Sequence, residues 1–232
     1  MDGSDARKAV LALALMTALA LLVFAIWPGI DLAVSRRYYD TAVAAFPVDN
    51  LFWPELLRIV VWKLSEAMIL LALVGLILSR GLRHPLLRLP TRDWAFVVLL
   101  YALAPGLLVD GLLKRYWGRA RPANITEFGG TQSFTPPYRI ADQCHRNCSF
   151  AAGEVAGAVA LSLALLLILW HWRDSLGKAG FRAAAALAFC LPLFTGWQRI
   201  ASGRHFLSDV VFSALFVLLI AAALSPMLSR RG

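Results

Sequence analysis

Cysteine, histidine and acidic side chains are the residues this chain has little of. It holds three cysteines and four histidines in 232 residues. Three thiols cannot build a disulfide scaffold. Cys190 falls in an apolar run and reads as inert packing. Cys144 and Cys148 lie close together in a polar stretch, placed to pair if that stretch faces an oxidising compartment. Charged residues make up only 16% of the chain and hydrophobic ones 59%, a balance that excludes an ordinary soluble domain. Acids are the scarcer charge, 14 against 23 Lys and Arg, for a formal net charge of +9. No carboxylate cluster of the kind that holds a divalent cation occurs, so neither a metal nor another cofactor is expected. The basic excess suits membrane lipids and an anionic substrate. With so little soluble chain, nucleic acid is not an expected partner, and nothing in the sequence bears on oligomeric state.

What the chain has in abundance is long apolar runs. About 20 such residues cross a hydrocarbon core of roughly 30 Å. The fold class expected is all-α, a polytopic membrane protein with a single membrane-embedded domain over residues 1–232. About six helices are expected, near residues 10–27, 56–78, 94–113, 149–170, 179–197 and 206–228, with both chain ends on one side. The first run follows Arg7 and Lys8 as in a signal peptide. It is long for one, and no small-residue cleavage pattern precedes Pro28-Gly29, so it reads as a retained helix. The second run carries Arg58, Lys63 and Glu66, with Lys63 and Glu66 spaced to pair on one helical face. Pro105-Gly106 interrupts the third.

Orientation follows from the basic residues. The loop with Arg80, Arg83, Arg88 and Arg92 reads as cytoplasmic. Lys and Arg are nearly even on the two sides, counting Arg230 and Arg231 inside. Setting aside Lys114, Arg119, Arg121 and Arg199 as candidate phosphate ligands tips the balance. The polar stretch 114–147 is then expected outside, and Cys144 and Cys148 lean the same way.

Three stretches carry candidate chemistry. After the third run comes Lys114-Arg115-Tyr116-Trp117-Gly118-Arg119-Ala120-Arg121-Pro122, where Asp110 can steady Lys114 from one turn back. Pro122 fixes the chain behind the Arg121 fork. The same cations would also suit a headgroup anchor. At the start of the fourth run stands Cys148-Ser149-Phe150-Ala151-Ala152-Gly153-Glu154. Its backbone N–H groups attract anions, Gly153 permits close approach, and Glu154 is either a first-turn acid or a reactive carboxyl. Before the sixth run, Arg199 offers a planar fork to phosphate oxygens. His205 and Asp209, four apart, share a helical face on which the carboxylate can orient the imidazole, or form an ordinary cap.

Together these stretches resemble the type 2 phosphatidic acid phosphatase superfamily. Its pattern is a lysine, six residues and Arg-Pro; then Pro-Ser-Gly-His; then Ser-Arg, five residues, His, three residues and Asp. Lys114 and Arg121-Pro122 match the first part. Arg199, His205 and Asp209 match the third, with Gln198 in place of serine. The second part departs: Ala151 and Ala152 replace proline and serine, Gly153 matches, and Glu154 replaces histidine. The resemblance implies that His205 attacks phosphorus to form a phosphohistidine, with Asp209 holding its other ring nitrogen. Lys114, Arg121, Arg199 and the backbone at Ala152 and Gly153 would bind the phosphate. Glu154 can be the general acid only if its proton affinity is raised, and His145 is an alternative donor.

A site opening at the outer membrane face implies a lipid phosphate as substrate: undecaprenyl pyrophosphate, phosphatidylglycerol phosphate, phosphatidic acid or lipid A. The glutamate variant resembles that of some bacterial lipid A phosphatases. A bacterial inner membrane with the site facing the periplasm is the location so implied. Trp117, Phe128, Phe134 and Tyr138 are candidates for a lid or for interfacial anchors. Two other functions fit the same residues. One is a lipid phosphotransferase; the other is a non-catalytic phospholipid-binding or transport protein whose site Ala152 and Glu154 have disabled.

Overall fold

The computed structural model describes residues 3–229; its regular elements are helices, with no strand among the described residues. Arg230 and Arg231, used above for orientation, lie outside them. Helix α1 spans Gly3–Ile26 and ends before Pro28, and a short α2, Gly29–Arg36, follows it. Helix α3 is Phe52–Leu82, α4 is Thr91–Tyr116, α5 is Gly153–Ala201 and α6 is Leu207–Leu224.

Helix α5 decides the number of membrane crossings. At about 1.5 Å per residue its 49 residues would run about 73 Å, over twice the hydrocarbon thickness. Gly177 interrupts it at φ 66°, ψ 170°, a backbone state open to glycine. Two arms result, residues 153–176 and 178–201. Five apolar helical stretches therefore make the six crossings expected from the sequence.

Helix α4 absorbs Pro105 by widening to i→i+5 turns over Ala102–Leu113. A proline has no N–H to give, and the wider turn relieves its ring of the preceding carbonyl.

Small residues let the helices approach, as they do where lipid supplies no hydrophobic drive between helices. A Cβ on Gly75 of α3 would lie 2.5 Å from the Trp94 ring of α4. Ser65 donates to the Gly157 carbonyl of α5 at 3.1 Å and meets Tyr101 Oη of α4 at the same distance. Ala72, Leu100, Ala104, Val155 and Phe212 are core residues there.

Outward-facing Leu15, Ile77 and Leu187 are 66, 69 and 70% exposed, an apolar surface of the kind lipid covers. Cys190 is exposed among them, so it is not a packing residue as the apolar run suggested. Lys63 and Glu66 form the expected pair at 2.7 Å. At the opposite end from the motifs, His171 Nε2 lies 2.5 Å from Asp93 Oδ2 and ties α5 to α4.

Candidate functional site

The site is built on the turn between α5 and α6. Gly203 takes φ 66°, and a Cβ there would strike the Phe46 ring at 2.4 Å. The N–H groups of Arg204 and His205 both donate to the Arg199 carbonyl at 3.1 Å, folding the chain back over the end of α5. His205 is thereby buried, at 3% exposure, just ahead of α6. Its Nδ1 lies 2.7 Å from the Ser149 carbonyl oxygen. A carbonyl only accepts, so Nδ1 carries a proton, and in the neutral ring Nε2 keeps its lone pair. Burial pushes the His205 pKa down from its usual 6.5; Lys114 and Arg121 add to that, and Asp209 opposes it.

Asp209 does not hold the imidazole as its spacing suggested. Nδ1 is 3.7 Å from Asp209 Oδ2, beyond hydrogen-bond reach. The reason is that His205 sits on the turn, not on α6, while Asp209 is in the helix's first turn and accepts from the Phe206 N–H at 2.8 Å. Ser149 links the two instead: its hydroxyl donates to Asp209 at 2.5 Å and its carbonyl receives His205.

Arg119 also departs from expectation. It does not face a phosphate site. It is fully buried, donating to Asp209 at 2.6 Å, to Asp31 at 2.8 Å, to Ser208 at 2.8 Å and to the Thr135 carbonyl at 2.7 Å. Its guanidinium also lies 4.2 Å from the centre of the Phe206 ring. Asp31 of α2 receives Ser208 as well, and burial raises its pKa against the pull of Arg119. This buried network joins α2, the 114–147 stretch and α6. Asp31 had one signal in the sequence: an acid among Ile30, Leu32 and Ala33, directly after a membrane run.

The other predicted cations lie outside that buried network and keep partners of their own. Lys114 pairs with Asp110 at 3.2 Å, as its spacing indicated. Gly153 makes room for that pair: a Cβ there would lie 2.5 Å from Lys114 Nζ and 2.6 Å from Asp110 Oδ1. The glycine serves the lysine's approach. The Ala152 N–H is turned to the Asp209 carbonyl at 3.4 Å. Arg121 donates to the Asn147 carbonyl at 3.0 Å, and burial lowers its pKa. Arg199 is 7% exposed and donates to Gln198 Oε1 at 2.6 Å.

Glu154 faces guanidinium groups. Arg58 of α3 donates to both its oxygens at 3.0 Å, and Arg199 reaches it at 3.3 Å. Guanidinium N–H groups only donate, so both carboxylate oxygens accept, and the glutamate is not arranged as a proton donor. Arg58 entered the sequence reading only as a charge in the second run and Glu55 not at all; the two pair at 2.5 Å three apart on α3, while Glu154 meets Arg58 from another helix.

Beside Lys114 opens a polar cleft of about 560 Å³, lined by Asp110, Arg115, His145, Arg146 and Asn147. Cys144 and Cys148, joined as a disulfide with Cα atoms 5.6 Å apart, carry that wall. Three of the four loop aromatics are neither lid nor anchor. Trp117 stacks on Phe150 at 4.9 Å, Phe128 packs on Phe46 and Tyr39, and Phe134 meets Phe206 edge-on at 5.4 Å. Phe128 and Phe134 belong to the cluster with Phe46 and Phe206 beneath the turn, and Trp117 to the main core; of the four, Tyr138 alone is exposed. Among the described residues, no group of three His, Cys, Asp or Glu could hold a metal ion.

The comparisons identify a multi-pass membrane lipid phosphatase. Residues 95–232 match the model of the PAP2 superfamily, and the chain belongs to that superfamily. It is 33% identical over 218 residues to a lipid A 4'-phosphatase of Rhizobium leguminosarum, covering 88% of this chain and 89% of that protein. A lipid A 4'-phosphatase of Rhizobium etli is 32% identical over 217 residues, 88% of this chain and 81% of the other. One from Francisella tularensis subsp. novicida is 36% identical over 122 residues, about half of each chain. Among solved structures, a transmembrane PAP2-type phosphatidylglycerolphosphate phosphatase of Bacillus subtilis superposes with a TM-score of 0.54 at 16% identity. It covers 93% of this chain and 94% of that one, a likeness of fold.

Proposed function

We propose that the protein removes phosphate from a phosphorylated sugar headgroup of a membrane lipid, of the lipid A type, through a phosphohistidine at His205. The observation that carries this reading is the His205 tautomer. Nδ1–H is committed to the Ser149 carbonyl, leaving the Nε2 lone pair as nucleophile, with Lys114 and Arg121 close enough to bear on the ring. Nε2 attacks phosphorus, the P–O bond to the lipid breaks, and the departing oxygen takes a proton. Water then splits the P–N bond and restores His205. Lys114, Arg121 and Arg199 neutralise the equatorial oxygens, the main contribution a protein makes to phosphoryl transfer. With Glu154 engaged by arginines, the proton comes from His145 on the cleft wall or from water.

The headgroup and its chains also have places. A cleft of about 560 Å³ matches a whole ligand in size, more than one phosphate needs. An apolar groove of about 410 Å³ runs between both arms of α5 and α6. Its rim residues Val155, Ile200 and Val210 directly follow Glu154, Arg199 and Asp209, so a chain lying in it leaves its headgroup at the site. The three curated relatives, all named for lipid A, favour the sugar over glycerol headgroups. We place the protein in a bacterial inner membrane as one membrane-embedded domain. The cysteine pair on the cleft wall favours the periplasmic side.

Phosphate release from a panel of lipid phosphates in micelles, parent against His205→Ala, tests this. The expected result is release from sugar phosphates well above phosphatidic acid and phosphatidylglycerol phosphate, lost in the variant. Equal release by both proteins would overturn the reading.

A further inference from the structure

Arg58 lies on α3, outside the segment that matches the family model, and the three motifs give it no part in phosphate chemistry. It makes the shortest contacts in a cluster of two arginines and two glutamates. Its Nη2 is 2.5 Å and its Nε 2.9 Å from Glu55, and its Nη1 is 3.0 Å from each oxygen of Glu154. Arg199, the second cation, makes its one short bond through Nε to Gln198 at 2.6 Å. Its terminal nitrogens stand 3.3 Å from Glu154 and 3.7 Å from Glu55. The tight contacts fall to Arg58 and the loose ones to Arg199.

We propose that Arg58 is a positioning residue for phosphate binding: by holding Glu55 and Glu154 it stops them capturing Arg199, whose terminal nitrogens stay available to phosphate. The proposal rests on the reading above that Arg199 is a phosphate ligand. Carboxylate and phosphate compete for the same planar fork. When phosphate draws Arg199 away, Glu154 keeps Arg58, so no carboxylate is stranded beside the incoming anion. Without Arg58, two acids would share one arginine and repel the substrate. Arg204 cannot replace it, being held by Asp49 at 2.6 and 3.0 Å. In this arrangement Glu154 is a restrained rival of phosphate.

The test uses the purified full chain in detergent with two readouts: KM and kcat for a lipid phosphate, and calorimetric affinity for inorganic phosphate. Arg58→Gln is expected to raise KM and the phosphate Kd about tenfold, with kcat within about twofold. Adding Glu154→Gln to it removes the rival and is expected to bring both constants back to within about threefold of the parent. Glu154→Gln alone, which spares the Arg58–Glu55 pair, is expected to bind phosphate as well as the parent or better and to keep its turnover.

A double variant no better than Arg58→Gln would overturn the proposal. So would loss of kcat in Glu154→Gln at unchanged phosphate affinity, or a parent that binds no phosphate. If Arg58→Gln does not fold, the Glu154→Gln result decides alone. If the parent binds phosphate but hydrolyses no lipid, the functional reading fails while calorimetry still decides the role of Arg58.

Discussion

Arg119→Met probes the buried charge network behind the nucleophile. The native guanidinium is fully buried between Asp31 and Asp209, with its terminal nitrogens 2.8 and 2.6 Å from them. Methionine fills much of the same volume and removes the charge, leaving two interior carboxylates with no cation and only one hydroxyl and one backbone N–H each: Ser208 for Asp31, Ser149 and Phe206 for Asp209. Removing one partner of a buried ion pair costs about 3–5 kcal/mol. For a chain of this length that corresponds to a fall in Tm of about 6–20 °C. The assay is thermal unfolding in detergent, followed by intrinsic tryptophan fluorescence. Adding Asp31→Asn removes one stranded charge and is expected to recover at least about 1 kcal/mol, because the two sites are in contact and couple. A Tm for Arg119→Met within about 2 °C of the parent would refute the reasoning.

Three further outcomes are expected. Gly153→Ala puts a methyl 2.5 Å from Lys114 Nζ, and the flexible lysine tip moves aside; the fold should survive while KM rises about tenfold, read by steady-state kinetics beside a thermal melt. Gly75→Ala meets the fixed Trp94 ring at the same distance and has no such relief, so it should destabilise by about 1–3 kcal/mol with KM unchanged. For His205, burial lowers the pKa, so the neutral ring is kept above that lowered value and lost as pH falls through it. An imidazole NMR titration, with His205→Ala assigning the signal, should place its midpoint below 6.5; a midpoint at or above that value would count against burial as the controlling effect.

Much of this arrangement was legible in the residues. The apolar runs specified six crossings because a helix in lipid must be long and apolar. The one feature that hides a crossing in the structure, the continuity of α5 through Gly177, had no counterpart in the sequence reading. The spacing of Lys114 and Arg121, and of Arg199 and His205, marked the correct ends of α4 and α5. What could not be read was which groups those residues meet. The four-residue spacing of His205 and Asp209 suggested a direct bond, because it assumed both lie on one helix. The turn places Ser149, more than fifty positions away in the chain, between them. Arg119 and Arg121 look alike in sequence, yet one is enclosed by Asp31 and Asp209 and the other donates to the Asn147 carbonyl. Glu154 could be judged as acid or acceptor only once Arg58, on a different helix, was seen beside it. Local spacing carries helix ends and faces; partners that arrive from other helices do not leave a local trace.

In the proposed mechanism His205 becomes phosphorylated. The most direct measurement of that step is rapid mixing with lipid phosphate labelled at phosphorus, an alkaline quench that preserves a P–N bond, and mapping of the labelled peptide. The expected result is transient label on the peptide containing His205, formed before free phosphate and absent from His205→Ala. Turnover with no protein-bound label, or label retained in His205→Ala, would contradict it.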